Sequence, residues 1–317
     1  MIVGFHSSTM TTRGSENALW DYATLNETLL GNQSVVCCQE DLASQENPVF
    51  LRWKKRFALL TYRTKRELAQ KLSAIDVTVL YQIKPGPYDH FLVPGVRNCV
   101  HAMFLSDEFH GDRFAYVSAW ASRVMTKGES SFVPHFVPRL ETRESLRKTL
   151  GIPPGAKVFG RHGAWDTFNI PFARDVVRRH ARENTQDHFV FLNTEPVRGT
   201  QGLGNVHYLP GTADPQRKAA FLATCDAILH ARWHGETFGL AVGEFAVLRK
   251  PVITYSESRE RAHLEMLGDQ ACLYRSAGEL AAILMEFRPH QTKETQYEIF
   301  ADPKVVMEFF QKKFLND

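Results

Sequence analysis

The sequence lacks a strong excess of charge and lacks long apolar runs. Its 38 lysines and arginines nearly balance 35 aspartates and glutamates, a formal net charge of +3, so the concentrated basic face that binds nucleic acid is not indicated. No apolar run approaches the roughly 18 residues that span a bilayer. The opening MIVGFHSSTM lacks the basic and apolar segments of a signal peptide. We therefore expect a soluble, cytoplasmic protein with no transmembrane segment and no nucleic-acid partner.

Cysteines are few, and the common metal and nucleotide motifs are missing. The five cysteines form an odd set without a CxxC pair, which excludes a disulfide framework and a metal knuckle. No GxxxxGK[ST] loop occurs, and GLG at 202–204 lacks the third glycine of a dinucleotide fingerprint. His230 and His234 are spaced like metal ligands beside Glu236, but HExxH is absent. We therefore predict no metal site.

What the sequence does contain is a regular alternation of apolar strand-like runs and helical stretches. Its 317 residues are enough for two domains at roughly 150 residues each. Strands such as IVGFH at 2–6 and HFVFLN at 188–193 alternate with helices in both halves, which predicts an α/β fold of doubly wound parallel sheets. We also predict a strand over 114–120 and assign RWKKR at 52–56 to solvated surface.

Prolines at 134, 138, 153 and 154 mark the junction between the halves. We predict an N-terminal Rossmann-like domain over 1–138, a C-terminal Rossmann-like domain over 139–298, and a final helix over 299–317. Two such domains leave a cleft at the carboxyl ends of their strands, where α/β sheets bind ligands. The apolar stripe of the last helix could lie on a membrane surface, but packing against the protein is favoured.

The most informative stretch is CDAILHARWHGETFGLAVGEFAVLRKPVITY at 225–255. It predicts a buried strand, a polar loop, a helix beginning near residue 238 and a second buried strand. The start of such a helix favours an anion such as a diphosphate, and Gly239 would let that anion approach the backbone. Glu236 and Glu244 bracket the segment at about 12 Å of helical rise. That separation exceeds the roughly 5–9.5 Å of a glycosidase pair, so the two carboxylates suit opposite ends of an extended ligand.

The segment ETFGLAVGE at 236–244 resembles the E-x7-E motif of retaining, family 4-like glycosyltransferases of the GT-B fold, in which a similar KPVI strand follows. TRGSENALWDYA at 12–23, NCVHAMF at 98–104 and the segment 224–245 are similar to a subgroup found in large DNA viruses and some bacteria. The resemblance implies two Rossmann-like domains facing a central cleft, with the first domain on the acceptor side and the second binding the nucleotide sugar. It also implies that the C-terminal helix crosses back to the first domain. For a viral protein, the cytoplasm would be that of the host.

The resemblance implies donor-binding roles for the residues of this segment. Glu236 would bind hydroxyls of the donor sugar near the reacting centre, and Glu244 would bind the ribose. The backbone amides of Phe238, Gly239 and Leu240 would hold the diphosphate. The loop containing Leu209, Gly211 and Thr212 is a candidate for contacting the base.

It also implies roles for residues elsewhere in the chain. Arg161 matches a phosphate-binding arginine, and His101 matches a histidine near the sugar. Arg13 and Gly14 lie where the family's first-domain loop faces the diphosphate and the acceptor. Three structural alternatives stand beside these roles: His101 as a core histidine, Arg161 in a surface salt bridge, and Glu244 on the exposed face of a helix.

One departure from the family concerns the second phosphate-binding cation. Many members follow the arginine with a lysine in an E-K-G turn, whereas this chain reads GAWDTF at 163–168. Arg232 or Arg13 could supply the missing charge.

The implied activity is retaining transfer of a hexosyl or pentosyl group from a nucleoside diphosphate sugar to a hydroxyl of a glycan or other acceptor. Backbone dipoles and arginine would stabilise the leaving diphosphate, so no cofactor or metal is expected. The lack of any Asp-x-Asp also argues against the metal-dependent GT-A class. Two alternatives are a nucleotide-sugar 2-epimerase on the same fold and a non-catalytic nucleotide-sugar-binding protein. The pattern leaves the base, the sugar, the acceptor and the oligomeric state open.

Overall fold

The computed structural model describes residues 1–11, 13–127 and 131–316. Position 12 of the phrase at 12–23 and the last residue of the predicted C-terminal segment lie outside these ranges. The chain divides into two compact units, Met1–Phe136 with Asp302–Asp317, and Val137–Ala301. Both units contain strands and helices.

The elements follow one another in this order. The first unit begins with β1 Ile2–His6, α1 Gly14–Thr28, β2 Gln33–Gln39, α2 Pro48–Arg56, β3 Ala58–Tyr62, α3 Lys65–Ser73, β4 Val77–Lys84, β5 Arg97–Ala102, β6 Arg113–Tyr116 and α4 Ala119–Thr126. The second unit has β7 Val158–His162, α5 Pro171–Glu183, β8 His188–Leu192, β9 Val206–Leu209, α6 Pro215–Thr224, β10 Ala227–His230, β11 Gly235–Glu236, α7 Leu240–Ala246, β12 Val252–Tyr255, β13 Glu260–Arg261, α8 Ala262–Leu267, β14 Ala271–Tyr274 and α9 Ala277–Glu286. The last α-helix, α10 Pro303–Phe310, belongs to the first unit. A π-helical turn over Gln311–Leu315 follows it.

The first unit is built on a parallel sheet. Within the described residues its six strands lie in the order β3-β2-β1-β4-β5-β6. The chain therefore starts in the middle of the sheet, winds to one edge and then to the other. Strands β2, β4 and β5 are almost continuously buried, as expected for a parallel sheet covered on both faces.

The second unit repeats this arrangement. Its sheet, again counted over the described residues, has six parallel strands in the order β14-β12-β10-β7-β8-β9. Strands β7 and β10 are central neighbours, so the loops that follow them leave from the same edge of the sheet. Residues of the candidate site lie on both loops.

The C-terminal helix α10 packs within the first unit. Asp302 caps it by accepting a hydrogen bond from the backbone N–H of Lys304, and the Phe310 ring packs 5.0 Å from the rings of Tyr22 and Tyr81. The apolar stripe of the tail is therefore a core face. Over the described residues, no helix has the length and apolarity needed to cross a membrane.

One local prediction in the first unit was wrong, and another was right only in part. The predicted strand over 114–120 ends at Tyr116, because the Ser118 side chain caps the backbone N–H of Ala121 and starts α4. The RWKKR run lies in α2, which Asn47 caps. Its Trp53 is buried while the neighbouring lysines are exposed. The run is one face of an amphipathic helix, so it is only partly solvated.

Candidate active site

The loop between β10 and α7 is held in a fixed conformation by a short parallel ladder. Gly235 and Glu236 form β11 and pair with β13. Gly235 has a φ of +77°, and a Cβ there would lie 2.0 Å from the carbonyl oxygen of Glu260. Only glycine fits this position. The ladder therefore determines where the next residue, Glu236, places its carboxylate.

Both carboxylate oxygens of Glu236 accept hydrogen bonds. Arg232 donates to Oε2 at 2.6 Å, and His230 donates from Nε2 to Oε1 at 3.2 Å. Burial alone would raise the pKa of Glu236, but the charge of Arg232 and the hydrogen bond from His230 outweigh it and lower the pKa to about 2. Glu236 is thus a fixed, ionised acid at neutral pH.

His230 is oriented from behind by the end of β12. Because Nε2 donates to Glu236, Nδ1 of a neutral ring accepts, and its neighbour is Thr254 Oγ1 at 2.9 Å. Nε2 of His263 lies 3.2 Å from the same hydroxyl, and burial lowers the pKa of His263 to about 3. These polar groups come from β10, β12 and α8, and together they fix the orientation of His230 behind Glu236.

Glu244, eight residues further along, is buried inside α7 and makes a different set of contacts. Lys218 on α6 donates to its Oε1 at 2.5 Å. Nε2 of His162 lies 3.2 Å from Oε2, but the two atoms are not aligned for a hydrogen bond and neither has another partner among the described residues. Burial lowers the pKa of His162 to about 4. Glu244 is not on an exposed helix face, so that alternative is wrong.

The loop predicted to contact the base leads directly into the helix that carries Lys218. Leu209 ends β9, and its carbonyl accepts from the backbone N–H of Asn193. Gly211 packs against the Asn193 side chain, since a Cβ there would lie 3.0 Å from Oδ1. Thr212 accepts from the backbone N–H of Asp214, which caps α6. Through Lys218, α6 connects this loop to Glu244.

Arg161, at the end of β7, is buried and its terminal nitrogens are fully engaged. Nη1 donates to the Asn193 carbonyl and to Thr194, and Nη2 donates to the Ala164 carbonyl and to Thr167. Burial lowers the pKa of Arg161 to about 10, against the opposing effect of Glu236. The residue is not in a surface salt bridge, so that alternative is wrong. Its guanidinium holds the loop after β7 and adds positive charge near Glu236.

Helix α7 begins later than predicted, and its first turn is tightly packed. The helix begins at Leu240 instead of residue 238, and Gly239 precedes it with a φ of +87°. Tyr297 donates to the Phe238 carbonyl at 2.5 Å. As the first helical residue and its cap, Leu240 and Gly239 carry N–H groups that the helix itself cannot satisfy. Their binding of a diphosphate stays a prediction.

Three candidate residues lie in the first unit. His101 is fully buried in β5. Its Nε2 donates to the Val133 carbonyl at 2.9 Å, so Nδ1 accepts from Tyr81 at 2.6 Å. These contacts fit a satisfied core histidine better than a sugar-binding one. Arg13 and Gly14 are exposed at the start of α1, and their roles stay predictions.

Sequence reasoning missed two groups beside Glu244 and two that orient His230 behind Glu236, although Arg232 was considered as a cation. Lys218, His162, Thr254 and His263 come from four separate elements. Among these four, only His162 could have been suspected from the local sequence, because it ends a buried strand. Over the described residues, no group of three or more His, Cys, Asp or Glu is placed to hold a metal ion.

Comparisons with known proteins give matches in structure alone. No protein-family model and no curated protein matches the sequence. HepE from Anabaena in complex with UDP-glucose matches over 99% of this chain and 95% of its own, with a TM-score of 0.67 and 15% identity. A glycosyltransferase from Rickettsia africae matches over 98% of this chain and 94% of its own, with a TM-score of 0.65 and 10% identity. A UDP-N-acetylglucosamine 2-epimerase matches over 100% and 92%, with a TM-score of 0.58 and 11% identity.

At these identities the matches establish the fold. Each unit is a Rossmann-like, doubly wound domain, and the chain has the two-domain GT-B fold of these proteins. This confirms the fold class that the sequence predicted. The structural neighbours include a glycosyltransferase and an epimerase.

Proposed function

We propose that the protein is a glycosyltransferase of the family 4-like, retaining type that uses a nucleoside diphosphate sugar as donor. The observation that carries the proposal is the pair of acids in the second unit, one just before the turn that starts α7 and one inside that helix. Glu236 is fixed between Arg232 and His230, and Glu244 is buried beside Lys218. Glu236 would accept hydroxyls of the donor sugar, and Glu244 would accept those of the ribose.

Positive charge and backbone N–H groups would stabilise the departing diphosphate. Breaking the anomeric C–O bond leaves negative charge on the phosphate and oxocarbenium character on the sugar. Arg161 and Arg232 would supply this positive charge. Both interact electrostatically with Glu236: Arg232 lowers the pKa of Glu236, and Glu236 raises that of Arg161 against the effect of burial. We assign Arg232 as the second cation, in place of the lysine missing from 163–168. The transfer would need no metal.

Transfer with retention implies that the acceptor hydroxyl approaches the face that the diphosphate leaves. The departing phosphate oxygen would take the acceptor's proton, so the proposal assigns no general base to the protein. The HepE complex with UDP-glucose supports the proposal of a nucleotide-sugar donor.

The 2-epimerase among the structural neighbours makes epimerisation the second candidate. An epimerase converts the donor without an acceptor, whereas a transferase needs one to form its glycoside. Product analysis by mass spectrometry and NMR, with and without an acceptor panel, separates the two. Conversion of UDP-N-acetylglucosamine to its epimer with no acceptor present would overturn the transferase proposal.

The first experiment is a thermal-shift screen with UDP, GDP, ADP and dTDP, followed by turnover assays with the sugar donors of the nucleotide that binds. Glu236→Gln should lower turnover by at least about a hundredfold, while the exposed Glu286→Gln should leave it unchanged. EDTA should also leave it unchanged. Near-normal turnover of Glu236→Gln would refute the assigned site, and strict dependence on Mn²⁺ or Mg²⁺ would refute the metal-free chemistry.

A further inference from the structure

The first unit contains a cavity of about 680 Å³ that the candidate site does not use. Its lining comes from the loop before β6 and the first residues of that strand, from the end of α4, and from the π-helical turn after α10. The cavity therefore lies at the amino end of β6. Because α/β sheets bind their ligands at the carboxyl ends of the strands, this place is separate from the edge expected to face a substrate.

Positive charge predominates in the part of the lining that the structure describes. Arg113, Lys127 and Lys313 supply three cations, and Asp112 supplies a carboxylate. Oδ2 of Asp112 already accepts a hydrogen bond from the backbone N–H of Asn98 at 2.6 Å. Among the described residues, none of the three cations forms an ion pair with a carboxylate. The described lining therefore carries an excess of positive charge.

Arg113 and Lys313 come from distant parts of the chain and line the same cavity. Nη1 of Arg113 makes a long hydrogen bond of 3.5 Å to the Asp112 carbonyl, which does not neutralise its charge. Burial and the charge of Arg113 both lower the pKa of Lys313, so the two cations repel each other. Like charges in a partly buried place are unfavourable. An anion bound between them would remove this cost.

Apolar side chains line the cavity beside the cations. Phe109 is 57% exposed, although its ring packs against Phe114 with ring centroids 5.2 Å apart and an interplanar angle of 69°. Phe114 and Met125 also belong to the lining. Large aromatic side chains are usually buried. An exposed ring in a positively charged cavity therefore favours an anion that has an apolar part of its own.

We propose that this cavity is a second ligand site, which binds an organic phosphate ester. The phosphate would lie between Arg113 and Lys313, since a doubly charged group matches two cations and arginine pairs well with phosphate oxygens. The apolar part of the ester would lie against Phe109. A volume of about 680 Å³ suits a small organic molecule. The inference goes beyond the proposed function and does not depend on the reaction of the second unit.

The test is calorimetric titration of the full chain with phenyl phosphate, compared with phenol and inorganic phosphate as the two halves of the probe. Phenyl phosphate should bind more tightly than either half, and added salt should weaken its binding. Arg113→Met and Lys313→Met should each weaken it about tenfold, whereas Lys313→Arg should keep most of the affinity. Lys312→Met removes an exposed neighbouring lysine that does not line the cavity and serves as the matched control.

Hydrogen exchange followed by mass spectrometry locates the bound probe. Phenyl phosphate should protect backbone amides over 109–116 and 311–315 and leave 236–246 unchanged. Protection confined to 236–246 would place the probe at the proposed donor site and overturn the inference. Equal losses in Lys312→Met and Lys313→Met, or full affinity in the double variant of Arg113 and Lys313, would also overturn it. A protein that binds phenyl phosphate at this cavity and no nucleoside diphosphate would refute the proposed function alone.

A phosphate ester can reach the cavity as a free molecule or as the headgroup of a lipid. Sedimentation with phosphatidylcholine vesicles, with and without phosphatidic acid, separates the two sources. Vesicle binding that needs phosphatidic acid and is lost in the double variant supports a lipid headgroup, whereas phenyl phosphate binding without sedimentation supports a free ester. Vesicle binding that the double variant keeps, with no phenyl phosphate bound, overturns the site.

Phe109→Ala gives an independent measurement if a methionine variant fails to fold. It should weaken the binding of phenyl phosphate and leave that of inorganic phosphate unchanged, because it removes the apolar contact and keeps both cations. An unchanged affinity for phenyl phosphate in Phe109→Ala would contradict the proposed position of the ester.

Discussion

Replacing Glu236 by glutamine removes one negative charge from the most strongly perturbed acid of the site. The structure holds the ionised form in place with Arg232 and His230. These contacts lower the pKa from 4.5 to about 2 despite burial. Each pKa unit corresponds to about 1.4 kcal/mol. At neutral pH the ionised carboxylate therefore contributes up to about 3 kcal/mol to folding, and Glu236→Gln should lose most of it.

The pH dependence of this loss has a definite sign. A lowered pKa stabilises the folded state above pH 4.5, and the contribution disappears as the pH falls from 4.5 towards 2. Calorimetric unfolding should show the transition of the second unit lowered at pH 7 by roughly 6–12 °C, since a domain of 150–250 residues shifts by about 2–4 °C per kcal/mol. The difference from wild type should shrink steadily below pH 4.5.

Two further variants make the prediction specific. Glu286→Gln removes an exposed charge from α9 and should leave the transition where it was. Glu236→Gln combined with Arg232→Met should cost less than the sum of the two single changes, because both remove the same ion pair. If Glu236→Gln melts like wild type at pH 7, or if its deficit is the same at pH 3 and pH 7, the charge argument for this site is wrong.

Three other changes test the parts around Glu236 and the first unit. Gly235→Ala should destabilise the second unit by more than about 2 kcal/mol. Gly204→Ala should not, because no atom lies within 4 Å of a Cβ added there. Melting followed by circular dichroism checks both variants. Lys218→Met should cost about 3–5 kcal/mol by leaving Glu244 buried and unpaired, and adding Glu244→Gln should recover part of that loss in the same melt. His101→Ala should cost about 2–4 kcal/mol by leaving two buried polar groups unpaired. If His101→Ala instead loses turnover and keeps the wild-type melting temperature, the sugar-binding role of His101 is favoured.

The fold class could be predicted because the strands of parallel α/β sheets are recognisable from short stretches of sequence. Runs such as HFVFLN are buried on both faces and stand between helical stretches, so apolar content alone marks the strands. The boundaries were harder wherever a single side chain decides them. Ser118 starts α4 by capping it, and nothing in the apolar pattern of 114–120 distinguishes a cap from a strand residue.

The candidate site could be predicted only as far as its local motif. The spacing of Glu236 and Glu244 is visible in the sequence, and the structure places both in one unit beside cations. Lys218 lies 26 residues from Glu244 and reaches it only because α6 packs near α7. For the same reason the sequence could not show that both ring nitrogens of His101 are hydrogen-bonded, because its partners Tyr81 and Val133 come from other segments. Hydrogen-bond saturation is a property of the packed fold, and a motif cannot reveal it.

The two acids differ in how much of their capacity to accept hydrogen bonds is already used. Glu236 has a donor on each oxygen, but an ionised carboxylate offers about four lone-pair sites. It can therefore accept a sugar hydroxyl and keep both of its partners. Oε2 of Glu244 is buried without a hydrogen bond, a cost that a ligand hydroxyl would remove. With Glu244 at the ribose and Glu236 at the donor sugar, as proposed above, binding free energy should come mainly from the Glu244 end, while the rigid Glu236 end would orient the sugar.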